Sequence, residues 1–337
     1  MRAGIVGFGG MGQRHYRAYA GTDLEVVAVC DQRSGRVREA APELRPDQIY
    51  DDVGRMLEQE PLDLLSVVSN GPTHAEITVA ALEAGVPRVL CEKPVATSLA
   101  EAERVIDATR RTGGRVSVNH IRRWSGGYAR LLERLRSGEW GELRHVYFHS
   151  GSTGLGNFVI HAFDLMRYLT GAEPAWVAGA LDPTGTTNPR GAQFSDPAGY
   201  GLVMFDNGCR GLVDSGEDTG VQYFFTMATT YARIVIDELN GEWTVRARSP
   251  EDRAAPLTRY GLPMTPVDFD APSWDIVELT RAALVELAGD GPISSTPEDG
   301  LAALEMVVAF HESERRGNAR VDLPLTGEGR ELVVPIG

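Results

Sequence analysis

The stretch Arg2-Ala3-Gly4-Ile5-Val6-Gly7-Phe8-Gly9-Gly10-Met11-Gly12 runs from a short apolar segment into glycine, and Gln13 to Ala20 then has helical composition. Strand, glycine turn and helix in that order give the spacing G-x-G-x-x-G a physical meaning. Gly7 permits the tight turn, Gly9 lets backbone N–H groups approach a pyrophosphate, and Gly12 allows the helix to pack closely on the strand. The helix N-terminus, with its unpaired N–H groups and positive dipole end, favours the anion. The spacing alone is weak evidence. It gains strength from Leu24 to Cys30, a second strand ending in Asp31, where a carboxylate binds the adenosine ribose hydroxyls. Asp31 favours NAD over NADP because it repels a 2'-phosphate, and Arg33 and Arg36 nearby weaken that preference.

Working outward, Ile49-Tyr50, a helix from Asp52 to Glu58 and the strand Leu62 to Ser69, ending at Asn70, continue the alternation. Pro72 suits a first helical position, and that helix reaches Ala84 before Gly85, with Pro87 beyond. His74, near its N-terminus, either lines the cofactor crevice or caps and packs the helix. The run Val86-Pro87-Arg88-Val89-Leu90 then ends in Cys91-Glu92-Lys93-Pro94. An unpaired buried ammonium is costly, so Lys93 either reaches solvent or faces a cleft that uses its charge, and Pro94 holds its backbone extended. A helix from Ser98 to about Arg111, closed by Gly113-Gly114, and a strand from Arg115 to Asn119 complete six strands. Strands alternating with helices predict a doubly wound parallel sheet whose ligands bind outside the carboxyl ends of the strands. The turn residues Gly7, Phe8, Gly9, Gly10, Met11 and Gly12 are therefore expected cofactor contacts, with Asp31, Gln32 and Arg33, then Ser69, Asn70 and His74, then Glu92 and Lys93.

A chain of 337 residues exceeds the usual single core. Two domains are expected, 1–121 and 122–337, the first binding the dinucleotide. The 42% hydrophobic and 24% charged content is ordinary for a globular protein, without a low-complexity tract or a fixed-period repeat. A formal charge of −14 argues against nucleic-acid and anionic-membrane surfaces and points to a small-molecule partner. Cys30, Cys91 and Cys209 are too few and scattered for a disulfide framework or a thiolate metal site, which suggests a reducing cytoplasm. Neither a charged leader with an apolar core nor a run of membrane-spanning length is evident, so a soluble, cytoplasmic protein is expected.

After Asn119 the pattern changes. A helix from Tyr128 to Arg136 precedes the alternating strand Leu143 to His149, and Asn207-Gly208 and Asn240-Gly241 mark tight hairpins. Residues 197–247 therefore read as an antiparallel meander, in which Tyr223-Phe224-Phe225 covers either a core or a partner subunit. The Gly-, Pro- and Thr-rich loop from Asp182 to Pro197 is long enough for a flap or is a plain surface loop. Helices near Trp274 to Leu287 and Pro297 to Glu314, and a strand around Ala319 to Leu323, close the chain. Between the halves, Gly156 to Gly171 reads as one helix, mostly apolar, with Asn157, His161, Asp164 and Tyr168 forming a polar stripe. The stripe is either a satisfied hydrogen-bond network or a substrate-facing surface. Taking a hydride from an alcohol carbon requires removing the hydroxyl proton; histidine titrates near working pH, and an ammonium stabilises the developing alkoxide. Lys93 and His161 supply that combination. Arg122, Arg123 and Trp124, just past the sixth strand, stand where they either reach a substrate phosphate or carboxylate or pack the hinge.

Gly7-x-Gly9-Gly10-x-Gly12, Glu92-Lys93-Pro94 and His161-x-x-Asp164, in this order, resemble the Gfo/Idh/MocA oxidoreductases, the group of glucose-fructose oxidoreductase and inositol 2-dehydrogenase. The resemblance implies a Rossmann domain followed by an α+β domain on a large open, mainly antiparallel sheet, whose outer face forms homodimers or homotetramers. It implies NAD(P)-dependent oxidation or reduction of a polyhydroxylated substrate, a sugar, sugar derivative or cyclitol, with Lys93 as catalytic lysine and His161 as catalytic histidine. Asn157, Asp164, Arg123 and Trp124 are then the substrate-binding candidates, and a cis Lys93-Pro94 bond is expected. Inositol dehydrogenase-like members place an aspartate four residues before the histidine, where this chain has Asn157; an amide cannot stabilise imidazolium as a carboxylate does. Two other functions fit the same motifs: glycosidic cleavage through transient hydride transfer by a retained NAD, and a non-catalytic cofactor sensor.

Overall fold

The apolar runs of the first third become parallel strands in this computed structural model, which describes every residue except 152, 183–187, 189, 190, 192, 259, 260, 273 and 274. In chain order they are β1 (Arg2–Val6), α1 (Gly10–Tyr19), β2 (Glu25–Cys30), α2 (Ser34–Ala40), β3 (Ile49–Tyr50), α3 (Val53–Gln59), β4 (Leu64–Val67), α4 (His74–Glu83), β5 (Arg88–Cys91), α5 (Leu99–Thr112) and β6 (Arg115–Val118). The strands pair in the order β3-β2-β1-β4-β5-β6, every pair parallel. β4 is buried at all four positions, as a strand covered on both faces must be. The strand order reverses between β1 and β4, which opens a crevice at their carboxyl ends.

The remaining elements are α6 (Gly126–Arg136), β7 (Leu143–His149), α7 (Ile160–Thr170), β8 (Pro174–Leu181), β9 (Gly199–Phe205), β10 (Arg210–Asp214), β11 (Phe224–Thr229), β12 (Ala232–Asp237), β13 (Glu242–Ala247), β14 (Thr265–Val267), α8 (Ile276–Ala288), α9 (Pro297–Arg315) and β15 (Val321–Asp322). Among the described residues they include a second sheet ordered β14-β13-β12-β11-β7-β10-β9-β8-β15. Only β7 and β10 run parallel within it; the other neighbours are antiparallel. Burial alternates along its strands. That alternation splits the aromatic run: Phe225 is fully buried, while Phe224 turns to the open face beside Tyr147, with ring centroids 6.3 Å apart.

The chain divides into two compact units, one of residues 1–124, 275–304 and 330–337, the other of 125–274 and 305–329. This differs from the expected simple division at 121/122. The reason lies in α8: Ala283, Leu284 and Leu287 are buried in one cluster with Ile5, Phe8, Leu64 and Leu90 of the parallel sheet. Helical periodicity marks α8 as amphipathic but carries no information about which sheet it covers. The expected start of that helix at Trp274, and half of the 182–197 loop that sequence reads as a flap or a plain surface loop, lie outside the described residues. No helix among the described residues is long and apolar enough to cross a membrane.

Leu284→Ala is expected to cost about 2–5 kcal/mol, the usual range for a fully buried leucine. Hydrogen exchange should show faster amides in β1 and β4, with β11 and β12 unchanged; faster exchange in β11 and β12 alone would contradict the division.

Candidate active site

The carboxyl edge of the parallel sheet collects the polar residues singled out above. A cavity of 640 Å³ lies there, lined among others by Gly7, Gly9, Asp31, Gln32, Arg33, Ser69 and Asn70. Gly7 has φ +91°, and a Cβ there would stand 2.5 Å from the Val68 carbonyl oxygen; a Cβ on Gly12 would collide with the Gly7 carbonyl. The backbone is thus shaped as a cradle that only glycine permits. Asp31, at the end of β2, accepts N–H bonds from Phe8 at 2.7 Å and Arg33 at 2.8 Å, so its carboxylate is held beside the glycine turn. Arg36, one helical turn on, joins the wall. Across the strand order β2-β1-β4-β5 the edge presents Asp31, the glycine turn, Ser69 with Asn70, and Lys93. Three strand spacings put Asp31 roughly 14 Å from Lys93. An extended dinucleotide would fit that series, with Asp31 positioned to hold the ribose, the α1 N-terminus the pyrophosphate, and Asn70 and Lys93 toward the nicotinamide.

Some expected contacts serve the wall from behind. Phe8 is fully buried and packs edge-on against Tyr16, with centroids 5.6 Å apart. His74 is 2% exposed, and its ring spans two carbonyl oxygens, Pro94 at 2.7 Å and Ser69 at 2.9 Å. Burial pushes its pKa down, against the two carbonyls that favour the cation. His74 therefore braces the ends of β4 and β5. Glu92 is 5% exposed and bonded to His15 and Asn119, so it too lies behind the edge.

Lys93 is 9% exposed, in the turn that follows β5, and the Lys93-Pro94 bond is cis. All of the chain's 33 Lys and Arg residues are arginines except Lys93. The next residues from the expected site, Arg123 and Trp124, are placed elsewhere. Arg123 donates to the Ser294 carbonyl at 2.8 Å and pairs with Asp299 at 3.2 Å, and Trp124 packs on the core cluster with α8. They tie residues 275–304 to the first unit, a role hidden until that segment is seen to return. Arg122 is buried as well, at 3% exposure.

Within the second unit, the expected single helix opens with a π-type turn over Leu155–Val159 before α7. Such turns recur at functional sites. Asn157, His161 and Tyr168 keep partial exposure, whereas Asp164 is 1% exposed. The His161 ring stands edge-on to Phe158 at 6.4 Å, and Phe158 in turn contacts Tyr223 at 4.8 Å. Sequence reasoning missed Asp196. Its two carboxylate oxygens accept from the backbone N–H groups of Gly156 at 2.8 Å and Asn157 at 2.7 Å, while the Pro197 carbonyl accepts from Leu155 at 2.9 Å. A carboxylate is therefore present at the start of the His161 helix, delivered by a loop 39 residues after Asn157. Gly154 leaves the room for it, since a Cβ there would overlap the Asp196 carboxylate.

Known proteins bear on this site in three ways. Residues 1–120 match the model of the family described as "Oxidoreductase family, NAD-binding Rossmann fold". The chain is 33% identical over 183 residues to an inositol 2-dehydrogenase of Salmonella typhimurium, an overlap of about half of each chain (50% and 54%). It is 34% identical over 341 residues, 94% of both chains, to inositol 2-dehydrogenase 2 of Saccharopolyspora erythraea. Among solved structures, levoglucosan dehydrogenase in complex with NADH and levoglucosan superposes with a TM-score of 0.81 at 20% identity, covering 96% of this chain and 99% of that one; at that identity the match speaks for the fold. With the full-length relative, the NAD-binding family model and the glycine cradle in agreement, the chain belongs to the Gfo/Idh/MocA family of NAD-binding oxidoreductases.

Proposed function

We propose that this protein transfers a hydride, through NAD, to or from a hydroxyl-bearing carbon of a sugar, sugar derivative or cyclitol, the first unit holding the cofactor and the second the substrate. The observation that carries this reading is Lys93. A chain that uses arginine at every other basic position has a lysine at the sheet edge where the nicotinamide end of a dinucleotide would lie. Guanidinium stays protonated in proteins, whereas an ammonium is compact and able to release its proton. A bound nicotinamide supplies the hydride acceptor or donor; Lys93 exchanges the hydroxyl proton or stabilises the alkoxide. His161 is assigned to the same proton, and Asn157 to a substrate hydroxyl. The Asp196 carboxylate lies at the start of their helix, where it accepts from the Gly156 and Asn157 N–H groups. Names of the relatives, inositol dehydrogenases and a D-apiose dehydrogenase of Paraburkholderia graminis, favour cyclitols and sugars as the class to test. Three buried free thiols support a reducing compartment. Tyr147, Leu202, Leu212 and Phe224, on the open face of the second sheet, are the surface we assign to self-association into a dimer or tetramer.

A panel of cyclitols and aldoses that includes inositol and D-apiose, read by nicotinamide absorbance, is expected to give turnover. Lys93→Met should lower kcat by at least about 100-fold with NAD affinity within about threefold of wild type. Lys93→Arg should be as poor if the proton moves and near wild type if charge alone matters. Full turnover in both variants would remove Lys93 from the chemistry. Sugar release without net NAD reduction would reveal glycosidic cleavage instead.

Cofactor choice follows from Asp31. NAD+ is expected to bind at least about tenfold more tightly than NADP+, and Asp31→Ser to narrow the ratio, because Arg33 and Arg36 then face a 2'-phosphate without the carboxylate. Isothermal titration of both cofactors checks this; an NADP+ preference in the wild type would refute it.

A further inference from the structure

The parallel sheet carries a chain of polar side chains in its interior. Tyr19, His15, Ser66, Glu92, Asn119 and Thr280 are all at most 5% exposed. The Glu92 carboxylate gives two of their bonds a direction. A carboxylate only accepts, so His15 Nε2 donates to Glu92 Oε1 at 2.9 Å, and Asn119 Nδ2 donates to the same oxygen at 2.7 Å. His15 Nδ1 lies 3.3 Å from the Ser66 hydroxyl, and Ser66 Oγ lies 2.7 Å from the Tyr19 hydroxyl. Burial alone would push the Glu92 carboxyl up; the His15 and Asn119 donors and the Lys93 charge hold it at about 2, so it is ionised at neutral pH.

Such a network is costly to bury unless every part is paired, and here it joins particular elements. His15 and Tyr19 lie on α1, whose N-terminus follows the glycine turn. Glu92 immediately precedes Lys93 and accepts from the Lys93 backbone N–H at 3.3 Å. Asn119 follows β6. We propose that His15, Glu92 and Asn119 are positioning residues that lock the end of β5 to the pyrophosphate-binding helix, and so fix where the Lys93 ammonium stands relative to the glycine turn. The proposal rests on the reading of Lys93 as the proton-handling group. Glu92 acts in two ways: its bonds to His15 of α1 and to Asn119 after β6 hold the backbone, and its charge interacts with that of the ammonium. Among the described residues of the first unit, the titratable groups near this pair include His15 from α1, His74 from α4 and Cys91 from β5.

A single lysine makes the test direct. In protein freed of any tag, acetic anhydride labels one side-chain amine, and the N-terminal amine, bonded to the Asp23 carbonyl at 2.9 Å, serves as internal reference. Labelling rate against pH, followed by peptide mass spectrometry on the apoprotein, reports the charge state of Lys93 without any substrate. In Glu92→Gln the midpoint for Lys93 is expected to fall by about one unit, with an unchanged plateau and an unchanged N-terminus. With a substrate from the panel, kcat should fall about tenfold while the NAD affinity stays within about threefold. Glu92→Asp keeps the charge and folds most safely; it should return the midpoint to within about half a unit of wild type yet leave kcat at least about fivefold low, since the shorter arm withdraws from His15. An unmoved midpoint with unchanged kcat in both variants, or a raised plateau from local opening, would overturn the proposal and leave a purely structural network. Full turnover by Lys93→Met would instead sink the reading beneath it, with the midpoint still deciding whether Glu92 faces the ammonium.

Discussion

A parallel sheet covered on both faces leaves only its edge for chemistry. In this chain that constraint governs both the path of the backbone and the place of the polar residues. Helices preceding residue 125 do not complete the cover; α8, returning from position 276, packs against α1, β5 and β6. Arg123 pairs with Asp299 of α9, and Trp124 packs on the core that α8 joins. The carboxyl edge remains open, and Asp31, the glycine turn, Asn70 and Lys93 follow one another along it.

Charge inside such a sheet survives only when fully bonded. Glu92 meets that condition through two donors from different elements, His15 and Asn119, which makes it a joint between strands and helix as well as a neighbour of Lys93. His74 does comparable work with neutral partners by spanning the Ser69 and Pro94 carbonyls. The residues that looked like cofactor contacts thus separate into a wall, Gly7, Gly9, Asp31, Ser69 and Asn70, and a supporting layer behind it.

The second unit solves its own problem differently. The stripe of Asn157, His161 and Tyr168 begins on a π-type turn, where backbone N–H groups need acceptors that the helix does not provide. Asp196 and the Pro197 carbonyl provide them. The absence of a carboxylate at 157, conspicuous in the motif, is therefore accompanied by a carboxylate from a distant loop, at the start of the same helix.

Much of this was legible in the residues themselves. Short apolar runs alternating with helical segments, glycines where the turn demands them, and an acid at the end of β2 determine a doubly wound sheet and a dinucleotide crevice, because these depend on local backbone sterics and periodicity. The hairpins at Asn207-Gly208 and Asn240-Gly241 and the cis Lys93-Pro94 bond were readable from turn chemistry and from the family resemblance. What only the tertiary structure decided is which side chains face which neighbours. That α8 covers the first sheet, that Glu92 and His74 turn inward, that Arg123 is consumed by Asp299 and that Asp196 reaches Asn157 all rest on pairings between residues tens to hundreds of positions apart. Periodicity tells which face of an element is buried, and long-range packing alone selects what it is buried against.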